Sequence, residues 1–163
     1  AMELLKDKYL NIKAISIGEG HKFEELQQEI NNRGLKNNFK LLGFRTDVNE
    51  LINISDIGIL LSYREGLPRN IMELMANGKK VIATNVRGCR DLVCNDNIGA
   101  LVNVGGVKET AEAIERYYLD DKSREKVYEA YKFSDYEYAV RYIELYDIEN
   151  VVKELKSIYG SLK

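Results

Sequence analysis

Glu65 and Glu73 are the residues of this sequence whose type and spacing most invite chemistry. They stand eight positions apart within REGLPRNIMELMANGKKVIAT, Arg64 to Thr84, and the single proline of the chain, Pro68, lies between them. A carboxylate accepts hydrogen bonds from neighbouring hydroxyls, so two of them set apart along one ligand can hold two hydroxylated parts of it, such as a hexose and a ribose. Pro68 suits the first turn of a helix, where its missing N–H is no loss. Such a helix places Glu65 just ahead of its start and Glu73 about one and a half turns inside, an axial offset of about 7–8 Å from Pro68. Free N–H groups and the helix dipole favour anionic oxygen there, which makes the turn Gly66-Leu67-Pro68 a place for a phosphate or for sugar oxygens. Spacing leaves a second reading open. Asn70, Glu73 and Asn77 share a helix face and are equally a solvated polar stripe, and Glu65 in a loop is equally a surface charge.

The elements that must position these residues are legible from the apolar pattern. IKAISIG is followed by HKFEELQQEINNRG, FKLLGF by TDVNELINIS, DIGILLS by LPRNIMELMANG, and KKVIAT by a short GCRDLV segment; GALVNV then precedes VKETAEAIERYYL. Strands written as continuous apolar runs, each followed by a helical pattern after a short turn, predict a parallel sheet covered on both faces. The fold class is α/β, a Rossmann-like doubly wound parallel sheet. ELLKDKYL reads as the end of a helix leading into the first strand, which points to a further strand upstream.

In an open parallel α/β sheet, ligands bind beyond the carboxyl ends of the strands. That rule selects Gly18-Glu19-Gly20, Gly43-Phe44-Arg45, Ser62 to Pro68 and Thr84 to Gly88, which should line one edge. Gly18 and Gly20 begin a dinucleotide fingerprint, but its third glycine would fall where Phe23 stands; the safer meaning is a tight turn with the backbone close to a ligand. His21, the only histidine, reads as a capping or surface residue sooner than as a base. Arg87 and Arg90 could meet a phosphate but read first as a solvated loop.

Bulk composition narrows the class. A chain of 163 residues suits one domain, here 3–163, with an α/β core over 3–106 and a helical region over 107–163. That region holds nine of the eleven tyrosines, read first as residues packing helices on the sheet. Lys and Arg number 24 against 26 Asp and Glu, which gives no strong electrostatic bias towards nucleic acid or anionic membrane. The longest apolar runs are strand-sized, which gives no support to a membrane span or signal peptide. Two cysteines, Cys89 and Cys94, without metal-ligand spacing suit a reducing, cytoplasmic compartment. Ala1 and Met2 are assigned no structural role.

The stretch Ser62 to Val93 resembles the C-terminal domain of family 4 retaining glycosyltransferases of the GT-B fold, which carry Glu, seven residues, then Glu. Here the pair is Glu65 and Glu73, inside S-x-x-E-G-L-P and followed by M-A-x-G and V-I-A-T. SIGEG is similar to the family's strand ending in G-x-G, LLGFRTDVNELINISDIGILLS to the strand, turn and helix before the motif, and GALVNVG to a later strand. The likeness covers Ile12 to Val107, and its wording is most similar to bacterial capsular or exopolysaccharide transferases. The resemblance implies a domain that holds a nucleotide-diphosphate sugar, UDP- or GDP-linked, with no cofactor and no metal. It implies that Glu65 contacts the donor sugar, that Glu73 binds the ribose hydroxyls, and that the backbone of Gly66, Leu67 and Pro68 meets sugar and phosphate, although Pro68 has no N–H to give. It places Gly43, Phe44 and Arg45 near the base. It further implies transfer with retention to a glycan or lipid-linked acceptor, an acceptor-binding N-terminal domain absent from this chain, inactivity of the chain by itself, and a cytoplasmic location, peripheral at the inner membrane face for the full-length protein. The Arg and Lys that the family directs at the diphosphate belong to a region upstream of Met2.

Three rivals stand beside this reading. A phosphoacceptor receiver would want acidic residues at the carboxyl ends of strands, yet Asp56 begins its strand and the ends carry Gly18, Gly43, Ser62 and Thr84. A GT-B-like nucleotide-sugar epimerase or hydrolase would want a catalytic His and a different glutamate spacing. A non-catalytic nucleotide-sugar-binding module is the third.

Overall fold

A computed structural model describes residues 1–120. Strands and helices alternate: α1 (Met2–Leu5), β1 (Ala14–Ser16), α2 (Phe23–Asn32), β2 (Phe39–Leu41), α3 (Val48–Ile54), β3 (Ile57–Leu60), α4 (Arg69–Ala76), β4 (Lys80–Thr84), α5 (Arg87–Leu92), β5 (Gly99–Val102) and α6 (Val107–Leu119). Every apolar run read as a strand holds one, and each is parallel to its neighbour. β1 pairs with β2, Ile15 opposite Lys40, while β4 lies between β3 and β5 with Ile82 opposite both Ile59 and Ala100. The strands form two hydrogen-bonded groups, β1-β2 and β3-β4-β5, where the sequence predicts a single sheet.

β4 shows why these runs are continuous. All five of its residues are buried, because successive side chains leave a strand on opposite faces and both faces are covered. Val81 and Ala83 enter one cluster with Ile71, Met75, Cys89 and Leu92 from α4 and α5. Ile82 enters another with Val102, Ala111 and Ile114, joined by Leu5 from α1. Fully burying one such aliphatic side chain contributes about 1.5–3 kcal/mol. The one cation in β4 is provided for: the Lys80 ammonium donates to the carbonyls of Asp96 and Asn97 at 2.8 and 2.7 Å, above the Tyr117 ring.

The N-terminal residues are pinned on the second cluster. Tyr9 donates its hydroxyl to Glu115 of α6 at 2.7 Å, Lys8 pairs with the same carboxylate, and Tyr9 packs on Tyr118 with ring centroids 4.7 Å apart. Ala1 and Met2, assigned no role from sequence, pack against this core as well. Tyr117 is buried and Tyr118 is partly exposed; the helical tail and tyrosines expected beyond Asp120 lie outside the described residues. Among the described residues no helix is long and apolar enough to cross a membrane.

Pro68 differs by one position from expectation. It caps α4 instead of opening its first turn, with φ −76° and ψ 93°. The proline ring fixes only φ, at a value that serves either position, and the extended ψ places the residue outside the helix.

Candidate functional site

The four segments selected from sequence all leave the carboxyl ends of strands, and hydrogen bonds tie them in two pairs. Gly18 donates its N–H to the Gly43 carbonyl at 2.8 Å, and Phe44 donates its N–H to the Glu19 carboxylate at 3.3 Å. Gly18 and Gly43 both have positive φ, 125° and 66°, a conformation that side chains with a Cβ disfavour, so these turns require glycine. Gly20 and Phe44 are exposed, and Arg45 grips Asp47 through two bonds of 2.7 and 2.5 Å. That guanidinium holds the Asp47 carboxyl below its ordinary value.

The second pair carries Glu65. The Thr84 hydroxyl, at the buried end of β4, donates to the Ser62 carbonyl at 2.6 Å. From the first turn of α5, Gly88 donates its N–H to the Glu65 carbonyl at 3.4 Å. A Cβ on Gly88 would come within 2.3 Å of the Gly66 carbonyl oxygen. The loop is thus held at Ser62 by a buried hydroxyl and at Glu65–Gly66 by the closely packed backbone of Gly88. Beneath it Cys89 is fully buried; burial pushes its thiol pKa up, the Glu65 charge adds to that, and Thr84 opposes it. The thiol is therefore an inert core group and not a nucleophile.

A cleft of about 670 Å³ opens between this loop and α5, lined by Tyr63–Leu67, Val86–Gly88 and Asp91. It gathers Glu65, Gly66 and Leu67 with Arg64, Arg87 and Asp91, two cations and two carboxylates around exposed backbone. Pro68 is buried behind it. Glu73 is exposed on α4, and neither it nor the turns at Gly18, Gly20, Gly43, Phe44 and Arg45 line the cleft. His21 is exposed ahead of α2. Sequence reasoning placed Glu19, Thr84 and Gly88 within segments at the ligand edge but foresaw none of the bonds or contacts they make. Only Gly88 had a signal, a glycine inside a short helical pattern, which marks a close backbone approach.

The profile of the family Glycosyl transferases group 1 matches residues 1–132. The Bacillus subtilis protein EpsD, named as a glycosyltransferase, is 33% identical over 121 residues, covering 72% of this chain and 31% of that protein. The N,N'-diacetylbacillosaminyl-diphospho-undecaprenol alpha-1,3-N-acetylgalactosaminyltransferase of Campylobacter jejuni is 32% identical over 117 residues, 68% of this chain and 31% of that one. Among solved structures, HepE of Anabaena in complex with UDP and glucose superposes with a TM-score of 0.80 at 26% identity, over 96% of this chain and 43% of that chain. The chain spans about a third of the length of these curated relatives. The Rossmann-like strand-helix alternation is that of the GT-B C-terminal domain.

Proposed function

We propose, from the premise that this chain belongs to the group 1 glycosyl transferases, that it is the donor-binding half of an enzyme moving a sugar from a nucleotide-diphosphate sugar to a glycan or lipid-linked acceptor. The observation that carries the reading is the loop Ser62–Pro68, held at Ser62 and Glu65, which presents Glu65 and the backbone of Gly66 and Leu67 to a cleft walled on its far side by Val86–Gly88 and Asp91. Amide dipoles held in place, with Arg64 and Arg87 beside them, can stabilise the charge that grows on a departing diphosphate. Glu65 is the residue assigned to the reacting sugar. Glu73 takes the ribose hydroxyls from the exposed face of α4, and Gly43, Phe44 and Arg45 lie towards the base. Gly18 and Gly20 let backbone approach the ligand closely.

Two comparisons support this assignment: HepE is seen with UDP and glucose, and the Campylobacter jejuni relative acts on a diphospho-undecaprenol substrate. The finer reading is retention at the anomeric carbon, a role in capsule or exopolysaccharide synthesis, an acceptor-binding domain contributed by the same polypeptide, action at the cytoplasmic membrane face, and no metal or cofactor. The test is calorimetric titration of the full-length polypeptide with UDP, GDP and their sugar conjugates, alongside Glu73→Ala. Selective binding that weakens about tenfold or more in the variant, as expected for lost hydrogen bonds to ribose, supports the assignment. Unchanged affinity in the folded variant removes Glu73 from the site.

A further inference from the structure

The donor reading leaves two side chains of the Glu65 cleft without a task, Tyr63 on the loop wall and Asp91 on the α5 wall. Tyr63 is 82% exposed, more than any other large hydrophobic side chain among the described residues. Its backbone is nonetheless held: Ser62 before it accepts from the buried Thr84 hydroxyl, and Glu65 two residues on accepts from the Gly88 N–H. Among the described residues the Tyr63 side chain makes no hydrogen bond and no ring contact. A tyrosine on an anchored loop has only two torsions to fix, so it offers a broad contact face at little entropic cost.

Asp91 stands four residues after Arg87 on α5, the spacing at which opposite charges on a helix meet. The two form no ion pair; those among the described residues belong to Lys8, Arg33 and Arg45. Like charge makes a carboxylate a poor neighbour for the donor diphosphate. Ionised, it only accepts hydrogen bonds, and ligand hydroxyls are donors that suit it.

We infer that Tyr63 and Asp91 form a second sugar subsite, in which the acceptor sugar stacks its ring on Tyr63 and donates hydroxyls to Asp91. The chemistry of the cleft selects this occupant. A pyranose has a C–H face that packs on an aromatic ring and an edge of hydroxyls that a carboxylate can bind. An apolar peptide laid on Tyr63 would instead desolvate Arg64, Glu65, Arg87 and Asp91 without pairing them, which is strongly unfavourable.

The subsite rests on the proposed donor role, with Glu65 at the donor sugar. Exposure sets the order of the two sugars. Gly88 is buried at the floor of the cleft, Glu65 is half-buried, and Tyr63 stands at the mouth. A donor held by the floor lies inside, and a ring on Tyr63 lies on the solvent side, where the acceptor arrives. The cleft, at about 670 Å³, falls in the range of about 300–1,000 Å³ that takes drug-sized ligands, which leaves room for a second ring. This chain then selects the acceptor sugar as well as the donor.

The test is saturation-transfer NMR on the full-length polypeptide with its donor subsite filled by the nucleotide sugar it binds. Methyl glycosides of glucose, galactose, N-acetylglucosamine and N-acetylgalactosamine serve as probes. At least one should receive saturation at its ring C–H protons. Its affinity should fall about fivefold or more in Tyr63→Ala and in Asp91→Ala and persist in Tyr63→Phe, which keeps the ring. Donor affinity should be unchanged in all three variants. Three results overturn the subsite: a glycoside that binds all four proteins alike, no glycoside that binds the donor-filled protein, and donor affinity that falls in step with glycoside affinity. Failure of every nucleotide sugar to bind overturns the donor reading and the subsite with it, which distinguishes the two failures.

Discussion

The hydroxyl of Thr84 donates to the carbonyl of Ser62 at 2.6 Å, tying the end of one central strand to the first residue of the loop that carries Glu65. Thr84 is 1% exposed, so its hydroxyl has no water to turn to. Thr84→Val keeps the shape and deletes the donor, and should cost about 1–2 kcal/mol. Thr84→Ser retains the bond and should recover most of that loss. Urea denaturation of the two variants, read at the midpoint with unchanged slope, checks both values.

Gly88 holds the same loop from the other side. With a backbone oxygen 2.3 Å from any added Cβ, Gly88→Ala must push α5 and the Glu65–Gly66 backbone apart. Nucleotide-sugar affinity should fall by about tenfold or more while α-helical content stays. Circular dichroism and calorimetry on the same sample separate the two effects. Undiminished affinity would mean that the loop does not form the donor site.

Much of this architecture can be read in the apolar runs. KKVIAT is a strand because five consecutive residues are buried, and a helix of similar length would leave a polar stripe. The role of Gly88 was half legible, as a glycine set in a helical pattern. The bond from Thr84 to Ser62 was not, since a hydroxyl reaching 22 positions along the chain leaves no trace in spacing. Nor could spacing choose between readings of Glu65 and Glu73. Packing separates them: Glu65 is half-buried against the cleft, whereas Glu73 stands exposed on α4. The division of the sheet was illegible for another reason, because an apolar run marks a strand without saying which strands pair.

Asp47 gives a pH-dependent signature at the opposite turn. The Arg45 bond favours its ionised form and lowers its pKa in the folded chain. The sign follows: the contribution to stability is fully present above the unfolded aspartate value, about 3.9, and is lost as pH falls through the lower folded value. Arg45→Ala should raise the Asp47 pKa back towards the ordinary range. A carboxyl-carbon NMR titration of Asp47 in both proteins reads the change directly, and coincident curves would show that the pair does not persist in water.

The central claim is that the Ser62–Pro68 loop and α5 form a nucleotide-sugar site. The most direct measurement is an amide chemical-shift titration with UDP and a UDP-sugar, on the full-length polypeptide labelled in this segment. Saturable shifts are expected at Glu65, Gly66, Leu67 and Gly88, extending to Gly43 and Phe44 and weakened by Glu65→Ala for the sugar conjugate. Saturable binding that leaves Glu65 to Gly88 unmoved would contradict it.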